Sequence, residues 1–120
     1  MRKRQIAIGV GDGETTAKEF IDTWKLAERG EAVQEKHRLH FENLEVLLRT
    51  LTPGRRALLK KLHANGPMSI RALANDLGRD YKNVYTDVRC LENIGLIART
   101  KDDKVNVPWE IVEARLLLAA

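Results

Sequence analysis

The stretch Ser69-Ile-Arg-Ala-Leu-Ala-Asn-Asp-Leu-Gly-Arg-Asp-Tyr-Lys-Asn-Val-Tyr-Thr-Asp-Val-Arg-Cys-Leu-Glu-Asn-Ile-Gly-Leu-Ile97 reads as two helices joined by a tight turn. Ser69 is a capping residue, and Ile70, Leu73, Ala74 and Leu77 follow at helical spacing. Gly78 stops this short helix. Asp80 caps a longer one, whose inward stripe is predicted as Tyr81, Val84, Val88 and Leu91, and Asn93-Ile94-Gly95 ends it. At about 100° per residue, Lys82, Tyr85, Thr86 and Arg89 fall opposite that stripe, with Asn83 on the flank.

Working outward, Thr52-Pro53 is a helix start, a capping hydroxyl followed by proline at the first helical position. That helix carries Leu58, Leu59 and Leu62 to about Ala64 and is broken by Asn65-Gly66-Pro67. On the other side, Leu96, Ile97 and Ala98 begin a strand, Lys101 to Lys104 form a polar turn, and Val105 and Val107 return, closed by Pro108. Helix, short helix, turn, longer helix and hairpin is the order of a winged helix-turn-helix. A duplex major groove is about 12 Å wide and admits one helix. The short helix must cross that helix closely, and Ala74 supplies the small residue. On this reading Lys82, Asn83, Tyr85, Thr86 and Arg89 face bases, and Ser69, Arg71, Arg79, Lys101 and Lys104 face phosphates.

The charge distribution points the same way. Residues 1–51 hold 9 Lys/Arg against 9 Asp/Glu, residues 52–100 hold 9 against 4, and residues 101–120 hold 3 against 4. The whole formal excess of +4 therefore sits in the middle segment, where a basic surface can meet a polyanion. The plainer reading is a solvated basic face, or a protein-interaction module on the same scaffold.

Before residue 52, Ile6, Ile8 and Val10 alternate with Ala7 and Gly9 as a short strand, and Gly11-Asp12-Gly13 turns the chain. Glu14 to Arg29 carries Ala17, Phe20, Ile21, Trp24 and Ala27 at helical spacing. Val33 to Glu42 alternates as a second strand, and Asn43 caps a short helix bearing Leu44, Leu47, Leu48 and Leu51. The predicted class is α+β, with a strand-helix-strand-helix region for dimerisation or support (1–51), a winged helix-turn-helix (52–109) and a tail (110–120) that reads as strand or helix. The apolar set Phe20, Ile21, Trp24, Leu39, Phe41, Leu44, Leu47 and Leu48 exceeds what so small a region buries alone. A homodimer is therefore expected, the surplus packing partly on the winged helix and partly across a two-fold axis, with the N-terminal strand and the tail Val112 to Leu118 as the segments that pair in a small sheet.

Other classes fare poorly. With 120 residues and 43% apolar composition the chain fits one modest globular fold. Cys90 is the lone cysteine, so no intramolecular disulfide forms, which suits a reducing cytoplasm. No apolar run approaches the roughly 20 residues of a membrane span, and no apolar signal core follows Met1-Arg-Lys-Arg. Gly9-Val-Gly-Asp-Gly13 lacks the third glycine of a dinucleotide loop, because position 14 is Glu, and no Gly-Lys-Ser/Thr is present. His37, His40, His63 and Cys90 do not fall at metal-ligand spacing. Asp76, Asp80 and Asp87 are read as helix-end and surface residues, and no catalytic grouping is visible. The expectation is a non-enzyme without cofactor or metal.

The Gly78-Arg-Asp-Tyr-Lys-Asn-Val84 segment is the most specific part of a resemblance covering roughly residues 39–110. With Phe41-Glu-Asn-Leu-Glu45, Leu51-Thr-Pro53 and Val107-Pro-Trp109, it resembles the small MarR-like winged helix-turn-helix regulators of prokaryotes. The resemblance implies a transcriptional regulator, usually dimeric, and some members are encoded beside a toxin-like partner. Two functions are therefore expected: a dimeric autorepressor reading double-stranded DNA, or an antitoxin-type module that masks a toxin and autoregulates. Two departures stand out, Cys90 where Lys or Ala is more usual and the Leu/Ala-rich tail from Ala114.

Overall fold

The computed structural model describes residues 3–11 and 33–116. The helix expected over Glu14–Arg29, with Phe20, Ile21 and Trp24, lies outside the described residues. In chain order the described elements are β1 (Lys3–Val10), β2 (Val33–Phe41), α1 (Leu44–Thr50), α2 (Pro53–Asn65), α3 (Ile70–Leu77), α4 (Tyr81–Asn93), β3 (Ala98–Arg99), β4 (Val105–Asn106) and β5 (Ile111–Leu116). The chain is α+β. It divides into two compact units, Met1–Arg49 with Trp109–Ala120, and Thr50–Pro108.

The first unit is built on a three-stranded sheet in the order β2-β1-β5, parallel at both junctions. β1 is central, and Gln5, Ile6, Ala7, Ile8 and Val10 are all buried. A central strand of a parallel sheet is covered on both faces, which explains its near-continuous apolar run. The register sets Ile6, Ile8 and Val10 beside His37, Leu39 and Phe41 on β2, and beside Val112, Ala114 and Leu116 on β5. The tail, which composition left between helix and strand, is thus a strand. Tertiary pairing with β1 decides it, a long-range influence that local propensity does not contain. The apolar surplus divides: Phe41 and Leu47 are buried, whereas Leu44 and Leu48 stay exposed, Leu48 at 53%. Asn43 Oδ1 caps α1, accepting from the Val46 N–H at 2.9 Å.

The second unit places three helices and a hairpin around Leu58, Leu62, Leu73, Val84, Val88, Leu91, Leu96 and Val105, all fully buried. Burying each such side chain stabilises the fold by about 1.5–3 kcal/mol relative to exposure. Each helix begins on its expected cap. The Thr52, Ser69 and Asp80 side chains accept from the N–H groups of Arg55, Ala72 and Asn83. α3 ends at Gly78 in the left-handed region (φ 64°, ψ 33°), and the next N–H, of Arg79, returns to the Ala74 carbonyl at 3.0 Å. A side chain with a Cβ is strained there, so this position fixes the turn between α3 and α4. β3 and β4 pair antiparallel, and Met68 bridges to Val105, which ties the segment ahead of α3 to the hairpin.

One residue of the expected inward stripe is not inward. Tyr81 is 40% exposed, its ring 6.1 Å from that of Tyr85 and beneath the Arg71 guanidinium, 4.8 Å from the ring centroid. It is the first residue of α4, and helical side chains lean toward the N-terminus. Its ring therefore projects past the end of the packed stripe that begins at Val84.

Candidate nucleic-acid interface

The outer face of α4 is fixed by what lies behind it. Val84, Val88 and Leu91 are fully buried, so the rotation of the helix is set. Lys82, Asn83, Tyr85, Thr86 and Arg89 are all exposed on the opposite side. Thr86 donates its hydroxyl to the Lys82 carbonyl at 3.1 Å, leaving its methyl and oxygen lone pairs outward.

Of the residues assigned to phosphate, Ser69, Arg71, Lys101 and Lys104 are exposed. Arg79 is not placed as expected. Its Nη2 donates to Asp87 Oδ2 at 2.8 Å, and its Nη1 is buried without a hydrogen-bond partner among the described residues. The carboxylate on the flank of α4 has drawn the side chain inward. Asp87 is correspondingly no surface residue. Its side chain is 16% exposed and also accepts from Arg55 Nε at 3.0 Å. Arg55 Nη1 in turn donates to the Thr50 carbonyl and the Cys90 Sγ. This Arg55–Asp87–Arg79 cluster joins the start of α2, the α3–α4 turn and the middle of α4.

A second cluster escaped the sequence reading. Arg99 donates through Nε and Nη2 to both oxygens of Glu92 at 3.0 Å, and through Nη1 to Asp103 at 2.9 Å. It fixes the hairpin to the end of α4. Only Glu92 and Arg99 flanking a helix-to-strand turn could have hinted at it, and that spacing is not distinctive. The turn is further set by the Thr100 N–H to Lys104 carbonyl bond at 2.7 Å and the Lys104 N–H to Thr100 Oγ1 bond at 3.1 Å. The Arg99 hydrogen bonds hold the Glu92 carboxyl below its ordinary value of 4.5, against a smaller opposing effect of burial. A depressed carboxylate pKa contributes stability that is present above the unfolded value and lost as pH falls through the folded one. Below about pH 4.5 the wild type should therefore lose stability that a Glu92→Gln variant does not lose. The contribution is less than about 1 kcal/mol for a pair this near solvent, and acid titration of both proteins in denaturant checks it.

The cap Ser69 with Ile70 and Arg71 from α3, Tyr81, Tyr85 and Arg89 from α4, and Arg99 and Asp103 from the hairpin line an open groove of about 450 Å³. Three arginines and one carboxylate give it a positive balance. The structure thus brings Ser69, Arg71, Tyr85 and Arg89 to one groove, while Lys82, Asn83, Thr86, Lys101 and Lys104 stand exposed without lining it. Among the described residues no helix is long and apolar enough to cross a membrane, and no three His, Cys, Asp or Glu side chains cluster as metal ligands.

The model of the HVO_A0114 family matches residues 50–114, more than half of the chain. The chain belongs to the HVO_A0114 family. The match spans the whole helical unit and continues through Ala114 of β5. The matched stretch of this chain holds the residues of both ion clusters and of the groove, and the first four residues of β5. No curated protein and no solved structure matches the chain.

Proposed function

We propose that this HVO_A0114-family chain is a sequence-specific double-stranded DNA-binding transcriptional regulator of the cytoplasm, a dimeric MarR-like repressor on a winged helix-turn-helix. In this reading α3 and α4 are the helix-turn-helix, α4 enters the major groove, and the β3–β4 hairpin is the wing along the backbone. The observation that carries it is the face of α4: Lys82, Asn83, Tyr85, Thr86 and Arg89 exposed together on a helix whose opposite stripe is fully buried. Arg and Lys suit guanine edges, Asn suits adenine, and the Thr methyl suits thymine. Arg71, Lys101 and Lys104 flank that face from α3 and the hairpin and suit phosphate, with the Ser69 hydroxyl beside them. Arg79 has a supporting role through Asp87 and no phosphate contact.

A gel shift with duplex from upstream of the chain's own gene tests both DNA binding and autoregulation. A specific shift that survives excess unrelated duplex is the expected result, and identical competition by any duplex would overturn the reading. Lys104→Ala should weaken binding to every sequence alike and reduce the salt slope by about 1, as read by titrations at several salt concentrations.

A further inference from the structure

β5 ends the sheet order β2-β1-β5, and no strand among the described residues pairs with its outer side. The two edges of this sheet differ in chemistry. β2 carries Arg38 exposed, and a charged side chain on an edge discourages further pairing. β5 reads Ile-Val-Glu-Ala-Arg-Leu, and on it Val112 is 42% exposed. We propose that β5 is the edge by which two copies of the chain pair, antiparallel about a two-fold axis at Ala114, joining two three-stranded sheets into one of six strands. The inference rests on the dimeric part of the reading above and not on DNA binding.

The register follows from hydrogen-bond direction and charge. A closed pair of identical edges around a two-fold perpendicular to the sheet is antiparallel. Along any strand, alternate residues turn their N–H and C=O to the same side. Arg4 directs both toward β5, its N–H to Glu110 Oε2 at 2.7 Å and its carbonyl to the Glu110 N–H at 3.0 Å. The Gly11 N–H, just after β1 and of opposite parity, bonds the carbonyl of Phe41 at the end of β2. Ile6 and Ile8 thus address β5, and in a parallel ladder they bond the neighbours of their partners Val112 and Ala114. The groups of Ile111, Glu113 and Arg115 therefore face β1, and those of Val112 and Ala114 face outward. Outward groups must oppose outward groups, so opposed residue numbers share parity. Of the registers that satisfy this, centring on Glu113 sets Glu against Glu, and centring on Arg115 sets Arg against Arg. Only centring on Ala114 sets Glu113 opposite the partner's Arg115, twice, in non-hydrogen-bonded pairs where opposed side chains come closest.

Three variants read the interface by light scattering and cross-linking. The wild type should run at twice 13.6 kDa. Ala114→Pro removes an outward N–H without touching the ladder to β1, and should give a monomer. Glu113→Arg sets like charges opposite each other and should raise the dimer dissociation constant about tenfold, and the double swap Glu113→Arg with Arg115→Glu should restore it. In a Cys90→Ser background, Ala114→Cys should form a disulfide-linked dimer on mild oxidation, since opposed hydrogen-bonded residues lie about 5.5 Å apart between Cα atoms, within disulfide reach. Val112→Cys should not, because four residues of offset separate the two copies by roughly 13 Å. A wild type that is monomeric at every concentration, alone or bound to a different protein, overturns both this pairing and the dimeric reading. A dimer that survives Ala114→Pro, ignores the charge swap and fails to cross-link at position 114 overturns the pairing alone. Neither result bears on the gel shift.

Discussion

Asp87→Ala should lower the stability of the helical unit by about 2–4 kcal/mol, the largest single-residue effect expected outside the apolar core. Asp87 accepts from Arg55 at 3.0 Å and from Arg79 at 2.8 Å, and the three side chains are between 16% and 33% exposed. Removing the carboxylate leaves two guanidinium groups facing each other with their partner gone. Arg79 is worse placed than Arg55, because its Nη1 already lacks a partner and Asp87 is the acceptor for its Nη2. Partial exposure keeps the cost below that of a fully buried pair, since water relieves some of the strain. A unit of this size should lose more than about 10 °C in melting temperature. Thermal unfolding followed by circular dichroism measures it. Asp87→Asn keeps an acceptor and should cost less. A melting temperature unchanged in Asp87→Ala would mean that the cluster contributes nothing and that the α3–α4 turn is held by Gly78 and the apolar stripe alone.

Arg89→Ala should weaken binding to the cognate duplex by about 1–3 kcal/mol, roughly ten- to hundredfold, and relax specificity at one base pair. Arg89 is exposed and lines the groove between α4 and the hairpin, while its neighbours Val88 and Leu91 face the core. The fold should therefore be indifferent to the change. A bidentate guanidinium on a guanine edge is the interaction being removed, so the loss should fall on one set of sequences and leave non-specific affinity nearly intact. Anisotropy titrations against a panel of single-base variants of the site read this directly. An equal loss on all sequences would assign Arg89 to the backbone, and no loss on any would remove it from the interface.

Much of this fold was legible in the sequence because its signals are local. The caps Thr52, Ser69 and Asp80, the breakers Gly66 and Gly78, and the buried stripes of α2 to α4 act within a turn or two of where they are read. What was not legible depends on distant partners. β5 is a strand because β1 lies beside it, some hundred residues earlier in the chain. Arg79 was assigned outward because it precedes a helix N-terminus, and only the fold brings Asp87 to it. Tyr81 kept the angular phase of the stripe and lost its burial, because it stands at the helix end. The Glu92–Arg99–Asp103 cluster joins three elements through a turn whose geometry, with Asp103 at φ 61°, no composition rule marks.

The central claim is that α4 reads duplex sequence. Equilibrium anisotropy of the wild-type chain on duplex from its own upstream region, alongside a scrambled duplex of equal length and composition, tests it most directly. At physiological salt the account predicts a dissociation constant of about 10⁻⁸ M or tighter on the cognate site and at least about a thousandfold weaker on the scrambled one. Affinities that are equal on the two duplexes, and that vanish together as salt rises, would contradict it and leave only a basic surface.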